Sequence, residues 1–210
     1  MARAATASEP VQDTRERILV AALQAFSEMG FDGASTRAIA ERAGVTLGLL
    51  QYHFGGKQKL WRAAVDRAFE QMRSGIVAVL DDASITDERE RMRRVLREHV
   101  HFVARRPEFV RLMHDEGKRK GPRMRWLVDR HTRPLFERLA QTIEGLQARG
   151  ALPADIAPIH FVYILIGATD LIFHQSEECK RIAGFDPHSD AAADAHVRAI
   201  EHLLFGPRRA

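Results

Sequence analysis

Residues 46 to 53 bring together side chains that suit contact with a DNA duplex, at the spacing of one short helix. Gln51 can form paired hydrogen bonds with the edge of an adenine, and a Leu or Thr methyl group can touch a thymine methyl group. Tyr52 and His53 are amphipathic donors that suit phosphate oxygens. Gly48 has no side chain where a helix and a sugar-phosphate backbone must approach closely. These residue types predict a surface that contacts both base edges and phosphates.

Two short helices must hold these side chains in place. The first is predicted after Ser35, whose hydroxyl can accept a hydrogen bond from an amide of the first turn, and Gly44 can end it in a left-handed conformation. Thr46 can cap the second helix. The predicted inward residues are Ile39, Ala40, Ala43, Val45, Leu49, Leu50 and Phe54. Two short helices joined by a turn that contains Gly form a helix-turn-helix, whose second helix enters the major groove of DNA.

Two further features belong to this surface. Thr46 and Leu47 lie outside the predicted inward row, so they too face the DNA. Lys57 follows two glycines at the start of the next predicted helix, where free amides and the positive end of the helix dipole favour a phosphate.

Catalytic or metal-binding chemistry is not supported by the spacing of the ten histidines. His99 and His101 are two residues apart, which places them roughly 200° apart around a helix, so they cannot share a metal ion. The sequence has no HExxH or paired-cysteine pattern, no Gly-rich phosphate loop and no nucleophile elbow. We therefore expect no metal, no cofactor and no enzymatic activity.

A recognisable sequence pattern extends well beyond the second short helix. It runs from Thr36 and Arg37 through Ile39, Ala40, Ala43, Gly44, Val45, Thr46, Gly48, Tyr52, His53, Phe54 and Lys57 to Leu60. This run resembles the DNA-binding domain of the TetR family of bacterial transcriptional regulators and covers roughly residues 13–60. Gln51 departs from the aromatic residue that the family often has, and Thr46 replaces its usual Ser. Both departures lie on the reading surface, so they affect the choice of operator.

The resemblance implies a homodimer that binds a palindromic operator in double-stranded DNA and responds to a small-molecule effector. It also implies DNA contacts by Thr36, Arg37, Thr46, Leu47, Gly48, Gln51, Tyr52, His53 and Lys57. The expected function is a sequence-specific repressor that its effector releases from DNA. The alternatives are a helical small-molecule sensor, or a metal-binding or hydrolytic protein, whose helix-turn-helix is not used on DNA.

Composition agrees with a regulator of this kind. The chain has 210 residues, a net charge of +4 and one cysteine, Cys179, which excludes an internal disulfide framework and suits a reducing compartment. Residues 89–149 carry a net charge of +9, whereas residues 1–60 carry +1. Coating of DNA by charge alone is therefore disfavoured. With no signal peptide or membrane span in the sequence, we expect a cytoplasmic protein, bound at the nucleoid when on its operator.

We predict an all-α fold with an N-terminal three-helix helix-turn-helix domain and a C-terminal helical ligand-binding and dimerisation domain. The predicted parts are a disordered arm (residues 1–12), the DNA-binding domain (13–60), the effector and dimer domain (61–206) and a tail (207–210). Arg3 is expected to belong to a frayed tail rather than to a minor-groove arm. A first helix opens at Asp13 or Thr14, with Ile18, Ala22, Ala25, Phe26 and Met29 inward, and ends at Gly30.

The remaining helices are predicted from their apolar periodicity. A helix from Gln58 to about Asp81 would join the domains rigidly, with Gly75 as a weak point or a packing contact. Others run from Thr86 or Asp87 to Arg105, from Pro107, from Pro122 to Arg149, from Ile156 to Phe173 and from Ala191 to Phe205. Pro134 should kink the helix that contains it. The kink predicts space for an effector between the helices at residues 89–105 and 122–149.

The candidate pocket residues are His99, Phe102, Phe109, Met113, Trp126, Leu127, His131, Tyr163 and Asp170. The buried imidazoles of His99 and His131 could equally be satisfied by neighbouring side chains. The basic stretch from Glu116 to Arg125 is more simply a solvated loop than an anion site.

Residues 156–173 are nearly apolar all round but too short and interrupted for a membrane span. A helix of that kind must be covered on every side, which predicts a four-helix interface with a second subunit. The candidate interface residues are Phe161, Ile164, Leu165, Ala168, Leu171, Ile172, Val197, Ile200 and Leu204. Asp170 could belong either to this subunit interface or to the effector pocket.

Overall fold

The computed structural model describes the backbone of residues 9–206 and the side chains of residues 13–206. Every regular element in this part of the chain is helical, as predicted. The helices are α1 (Glu9–Gly33), α2 (Thr36–Ala43), α3 (Leu47–Phe54), α4 (Lys57–Leu80), α5 (Glu88–Arg105), α6 (Pro107–Gly117), α7 (Pro122–Leu127), α8 (Arg133–Ala148), α9 (Pro158–His174), α10 (Ser176–Ala183) and α11 (Asp190–Phe205). The predictions for Arg3 and for the tail lie outside the described residues.

The chain divides into two compact units. The first contains Met1–Glu70 and Arg111–Lys118, and the second contains Gln71–Val110 and Arg119–Ala210. Helix α4 therefore contributes residues to both units, as the predicted connecting helix would.

The first unit forms around the apolar faces of α1, α2, α3 and the beginning of α4. Buried residues include Ile18, Ala22, Phe26, Ile39, Leu50, Phe54, Leu60 and Trp61. Phe31 stacks on Phe26 with ring centroids 5.9 Å apart and meets the ring of Trp61 edge-on at 6.4 Å. These contacts join the end of α1 to α4 and fix the frame in which α2 and α3 are held.

Helix α1 differs from the prediction at both ends. It begins at Glu9, four residues before Asp13, and Gly30 interrupts it instead of ending it, because φ is 67° and ψ is 173° at that residue. The chain then continues in helical form to Gly33. Met29, predicted to be inward, is exposed. The buried stripe of α1, which contains Ile18, Ala22, Ala25 and Phe26, therefore ends before Met29.

The second unit contains two clusters of buried apolar residues. One is formed by Leu96, Val100, Val103, Ala104, Val110, Phe173, Ala193, Val197 and Ile200, and joins α5 to α9 and α11. The other is formed by Met92, Ile143, Leu146, Leu152, Phe161 and Val162, and joins α5 to α8 and α9. The prediction that Phe161, Val197 and Ile200 face a second subunit is therefore wrong, because α5 presents an apolar stripe that covers them within the chain.

Pro134 distorts its helix as predicted, but the distortion lies one turn upstream. Residues Val128–Thr132 adopt a π-helical pattern between α7 and α8. Proline has no amide hydrogen and its ring crowds the carbonyl one turn earlier, so the hydrogen-bond register changes before the proline.

The far end of α4 is bound to α5 by one guanidinium group. Arg91 on α5 donates to the carbonyl oxygens of Val79, Leu80 and Asp82 at 3.2, 2.9 and 3.0 Å, and also to that of Ile85. The last carbonyls of a helix have no partner within it, and a cation near them is favoured by the helix dipole. Arg91 thus both caps α4 and orders the connection to α5.

Candidate nucleic-acid interface

Helix α2 begins and ends as its sequence predicts. The Ser35 hydroxyl accepts a hydrogen bond from the amide of Ala38 at 3.1 Å. At the other end Gly44 is left-handed, with φ 66° and ψ 37°, and the amides of Gly44 and Val45 donate back to the carbonyls of Glu41 and Ala40 at 3.1 and 3.0 Å. This pair of bonds is a Schellman motif, and it turns the chain sharply into the second helix.

Helix α3 is capped in the same way. The Thr46 hydroxyl accepts from the amide of Leu49 at 3.2 Å, and Gly55, with φ 66°, ends the helix while its amide donates to the carbonyl of Gln51 at 2.7 Å. Because both caps come from short side chains or glycine, the outer surface of α3 stays free of bulky capping groups.

Fewer residues of α3 pack inward than predicted. Leu50 is completely buried and Phe54 nearly so, whereas Leu49 is 38% exposed. The prediction that Leu49 packs inward is wrong, because successive helical residues point about 100° apart and Leu49 lies off the face that Leu50 and Phe54 share. Leu49 therefore belongs to the outer surface, where its methyl groups add to the apolar part of the reading face.

The remaining predicted contact residues lie on the surface of the first unit. Arg37, Thr46, Gly48, Gln51 and Tyr52 are exposed, while Thr36, Leu47, His53 and Lys57 are half-buried. Tyr52 is 83% exposed, and its ring meets that of His53 edge-on with centroids 5.5 Å apart. Amide, hydroxyl, imidazole and methyl groups thus all occur on the exposed surface of α3 and the residues beside it.

Lys57 has a structural role that the sequence did not indicate. Its ammonium donates to the carbonyl of Asp32 at 3.1 Å and lies 4.8 Å from the centre of the Phe31 ring. An ammonium carries three donors, so one is used within the unit and others remain for a phosphate. The interaction holds the charge close to the end of α3.

Other arginines of this unit are engaged within it. Arg42 bonds to Glu28 at 2.7 Å, and Arg67 binds Glu16 with its Nε 2.6 Å from the carboxylate. Arg15 lies over the ring of Phe54 at 5.6 Å, and Arg17 donates to the carbonyl of Gly44 at 3.4 Å. Arg15 and Arg17 thereby stabilise the helix-turn-helix from its α1 side.

The candidate effector residues form separate pairs in the second unit. His99 on α5 bonds to Asp170 on α9 at 2.9 Å, and the Thr169 hydroxyl donates to the same carboxylate oxygen at 2.9 Å. Phe102 meets Phe109 edge-on at 5.2 Å. Asp170 therefore faces α5 and not the exposed side of α9.

Three further candidates complete this group. Trp126 and His131 are 5.3 Å apart edge-on, and Leu127 beside them is completely buried.

Two of the candidates fall elsewhere. Tyr163 is 68% exposed, so its prediction as a lining residue of an internal pocket is wrong; α9 turns that position away from α5. Met113 lies on the part of α6 that belongs to the first unit.

Between residues 13 and 206 the side chains of His, Cys, Asp and Glu form no group of three placed to hold a metal ion. Among helices α1 to α11, none combines the length and the apolar character that crossing a bilayer requires.

The fold and the exposed face of α3 define a DNA-binding protein of the helix-turn-helix class. Residues 18–64 match the profile described as bacterial regulatory proteins, tetR family, and residues 89–203 match that of the tetracyclin repressor-like C-terminal domain. The chain belongs to the TetR family of bacterial transcriptional regulators. It is accordingly a transcriptional regulator with a DNA-binding domain, and not an enzyme.

Individual relatives agree with this family. The transcriptional repressor NicS of Pseudomonas putida is 28% identical over 163 residues, which are 74% of this chain and 73% of NicS. The transcriptional activator FasR of Mycolicibacterium smegmatis is 31% identical over 104 residues, so the match spans 50% of this chain and about half of FasR, 47%. The solved structure of AibR in complex with isovaleryl coenzyme A and operator DNA has the same fold, with a TM-score of 0.73, 19% identity, and coverage of 92% of this chain and 99% of AibR.

Proposed function

We propose that the protein is a homodimeric repressor that binds a palindromic operator and is released from it by a small-molecule effector. The observation that carries the DNA-binding part is the outer face of α3, where Gly48, Leu49, Gln51 and Tyr52 are exposed while Leu50 and Phe54 anchor the helix. Exposed amide, phenol and methyl groups on a short capped helix are the groups that contact base edges and phosphates.

Dimerisation is supported by the exposed surface of α9 and α11. Tyr163, Ile164 and Leu171 on α9 and Leu203 on α11 are exposed, and Ala195 and Ala199 lie on the exposed side of α11. The Nε2 atom of His196 donates to the carbonyl of Ala168 at 2.7 Å and so joins the two helices.

The chemistry of this surface fits a permanent interface. Asp170 is the sole Asp, Glu, Lys or Arg among residues 159–173, and it faces α5. A largely apolar surface with few charged groups is typical of the core of a protein interface. Two copies related by a two-fold axis would present two α3 helices to half-sites roughly 34 Å apart, or a multiple of that distance. The proposed interface thus uses Ile164, Leu165, Ala168, Leu171, Ile172 and Leu204 from the sequence prediction, with Tyr163 and Leu203 added.

The proposed coupling runs through α4. Its first fourteen residues belong to the unit that contains α3, and its end is bound to α5 by Arg91 and to α8 by the ion pair of Arg138 with Asp81. Helix α5 also carries His99 and Phe102, and a ligand beside them would move the helix that holds the end of α4. A shift of a packed helix is a common means of transmitting ligand binding.

The experiment has two arms. Selection of operator sequences from random duplex DNA should enrich a palindrome, and a failure to enrich one would favour a sensor whose helix-turn-helix is not used on DNA. A thermal-shift screen with and without that operator should then find an effector, beginning with isovaleryl coenzyme A because AibR is described with it. Coupling must be reciprocal, so operator DNA should weaken effector binding by the same factor by which effector weakens operator binding.

Repression, as opposed to activation, is tested in cells. NicS is described as a repressor and FasR as an activator, so the direction of control follows from where the operator lies relative to the promoter. A reporter gene placed behind the selected operator should be silenced by the protein and restored by the effector.

A further inference from the structure

A groove runs between α9 and α10 on the outer side of the second unit. It encloses a volume of about 400 Å³, and its lining includes the apolar side chains of Leu171, Ile172 and Ile182 together with Cys179. Ile182 is 79% exposed. The space is of the size of a small binding pocket, yet its walls leave large apolar groups in contact with water.

A projecting aromatic side chain lies on the same face of α9. Tyr163 precedes Gly167 by four residues, and Gly167 precedes Leu171 by four, so all three share one face of the helix. Tyr163 and Leu171 are therefore roughly 12 Å apart along the helix axis. A Cβ atom added at Gly167 would have no neighbour within 4 Å, so another backbone could approach closely at this point.

This arrangement is self-complementary. In a contact related by a two-fold axis the same patch occurs on both sides, and residue i of one copy meets residue j of the other. If the axis passes beside Gly167 and reverses the direction of α9, the projection at Tyr163 of one copy lies opposite the groove at Leu171 of the other. We propose that this groove is the docking site of a second copy of the chain, whose Tyr163 side chain fills it.

The polar groups of the groove favour this occupant. A buried tyrosine hydroxyl usually finds a hydrogen-bond partner, and Gln175 and Glu178 line the groove beside the apolar residues. An amide or carboxylate oxygen can accept from a phenol. The apolar ring and the single hydroxyl of Tyr163 thus match both parts of the lining. The groove is also continuous with the proposed dimer surface, since Ala168, Leu171 and Ile172 belong to both.

The inference rests on the proposed homodimer and gives it a defined register. Cys179 is the chain's one cysteine and lines the groove, so its rate of reaction with a small thiol reagent reports whether the groove is filled. At a protein concentration where sedimentation shows a dimer, Tyr163→Ala should react about tenfold faster than the unmodified chain, because the cover is lost. Tyr163→Phe keeps the ring and should stay within about twofold of it.

Two matched controls separate the groove from the rest of the surface. Leu203→Ala removes an exposed apolar side chain of the dimer surface that does not line the groove, so Cys179 should stay covered. Ile182→Glu should dissociate the dimer, whereas Arg181→Glu, one residue away with a larger change of charge, should leave it intact.

The outcomes are distinguishable. A dimer in which Cys179 reacts as fast as in the Ile182→Glu monomer would leave the groove open and overturn its assignment alone. A chain that is monomeric at every concentration would overturn the proposed homodimer as well. Equal rates for Tyr163→Ala and the unmodified dimer would show that a different group, or none, occupies the groove.

Discussion

His101 on α5 donates a hydrogen bond from its Nε2 atom to Asp194 on α11, with a separation of 2.9 Å. Arg97 contacts the same carboxylate oxygen at 2.5 Å. The bond from His101 is the largest of the effects that hold the pKa of Asp194 below its usual value of 3.8, and Arg97 adds to it, while partial burial opposes them. The pair joins the two helices whose apolar stripes form one of the clusters of the second unit.

The hydrogen bond between His101 and Asp194 predicts that the stability of the folded chain falls at acid pH. Because the pKa of Asp194 is lower in the folded than in the unfolded chain, its contribution to the free energy of unfolding is present above pH 4 or so and is lost as the pH falls through the folded value. Asp194→Asn should therefore be less stable than the unmodified chain in urea at pH 7, and the difference should shrink between roughly pH 5 and pH 3.

The size of this effect is limited by exposure, since 37% of the Asp194 side chain meets solvent. Asp82 and Asp186 also have a lowered pKa, chiefly through hydrogen bonds from Ser84 and His188 respectively, so the variant should keep part of the acid sensitivity. Asp155→Asn, at an exposed loop position, is the control. A difference between Asp194→Asn and the unmodified chain that stays constant with pH would contradict the assignment.

Gly75 lies inside α4, where glycine lowers helix stability. Replacing it shows whether the glycine is needed for close packing against Glu98 or only makes the helix more flexible. A Cβ atom at this position would come within 2.9 Å of the Glu98 Oε2 atom. Glu98 is exposed, so its carboxylate can move away at little cost. We expect Gly75→Ala to stabilise the chain by about 0.5–1 kcal/mol in urea unfolding, which is the helix-propensity difference between the two residues.

The control for Gly75→Ala is Gly75→Ala combined with Glu98→Ala, which removes the close contact. If Gly75→Ala destabilises the chain while the double variant does not, the Glu98 carboxylate is held in place and Gly75 is a packing contact. If both variants have a higher free energy of unfolding than the unmodified chain, the gain comes from the higher helix propensity of alanine.

Two neighbours on α3 should separate folding from DNA contact. Leu50 is completely buried and Tyr52 is 83% exposed. Leu50→Ala should lower the free energy of unfolding by about 2–5 kcal/mol, whereas Tyr52→Ala should change it by less than about 0.5 kcal/mol. Tyr52→Ala should nevertheless weaken operator binding in a mobility-shift assay. A Tyr52→Ala protein with full affinity for the selected operator would exclude Tyr52 from the interface.

The local features of the helix-turn-helix could be predicted because they depend on residues close together in the sequence. Ser35, Gly44 and Thr46 cap their helices through bonds to amides or carbonyls within five residues, and such bonds follow from residue type. That Pro134 would distort its helix could be predicted for the same reason, although the position of the distortion one turn upstream could not. These caps fix where α3 begins and ends, and thereby determine which of its residues can be exposed to DNA.

The burial of individual side chains was harder to predict than the caps, because burial depends on which helices pack against each other. Leu49 and Leu50 are equally apolar, and only the packing of α3 distinguishes them. Val197 and Ile200 form a stripe that would serve a partner subunit or the chain's own core, and the stripe on α5 decides for the core. Helix α10 was not predicted: Ser176–Ala183 is only eight residues long, none of them is buried, and its apolar side chains number few, although Cys179 and Ile182 lie on one side.

Gln51 is the strongest candidate for reading a base. It is exposed on α3, and a Gln side chain can form two hydrogen bonds with an adenine edge. Gln51→Ala should reduce discrimination at one position of each half-site by about 1–3 kcal/mol while other positions keep their preference. Repeated operator selection with the variant measures this position by position. An unchanged preference profile would exclude Gln51 as a base reader.

Lys57 should act on every DNA sequence alike, because a phosphate contact carries no base information. Lys57→Ala should weaken binding to all operators to a similar extent and reduce the slope of log affinity against log salt by about one per subunit, or about two for the dimer. Since its ammonium also donates to the Asp32 carbonyl at 3.1 Å, the variant should lose some thermal stability as well. Lys57→Arg keeps the charge, so it should restore the salt slope. Should Lys57→Ala melt earlier yet bind DNA with an unchanged salt slope, the role of Lys57 would be confined to holding the end of α1.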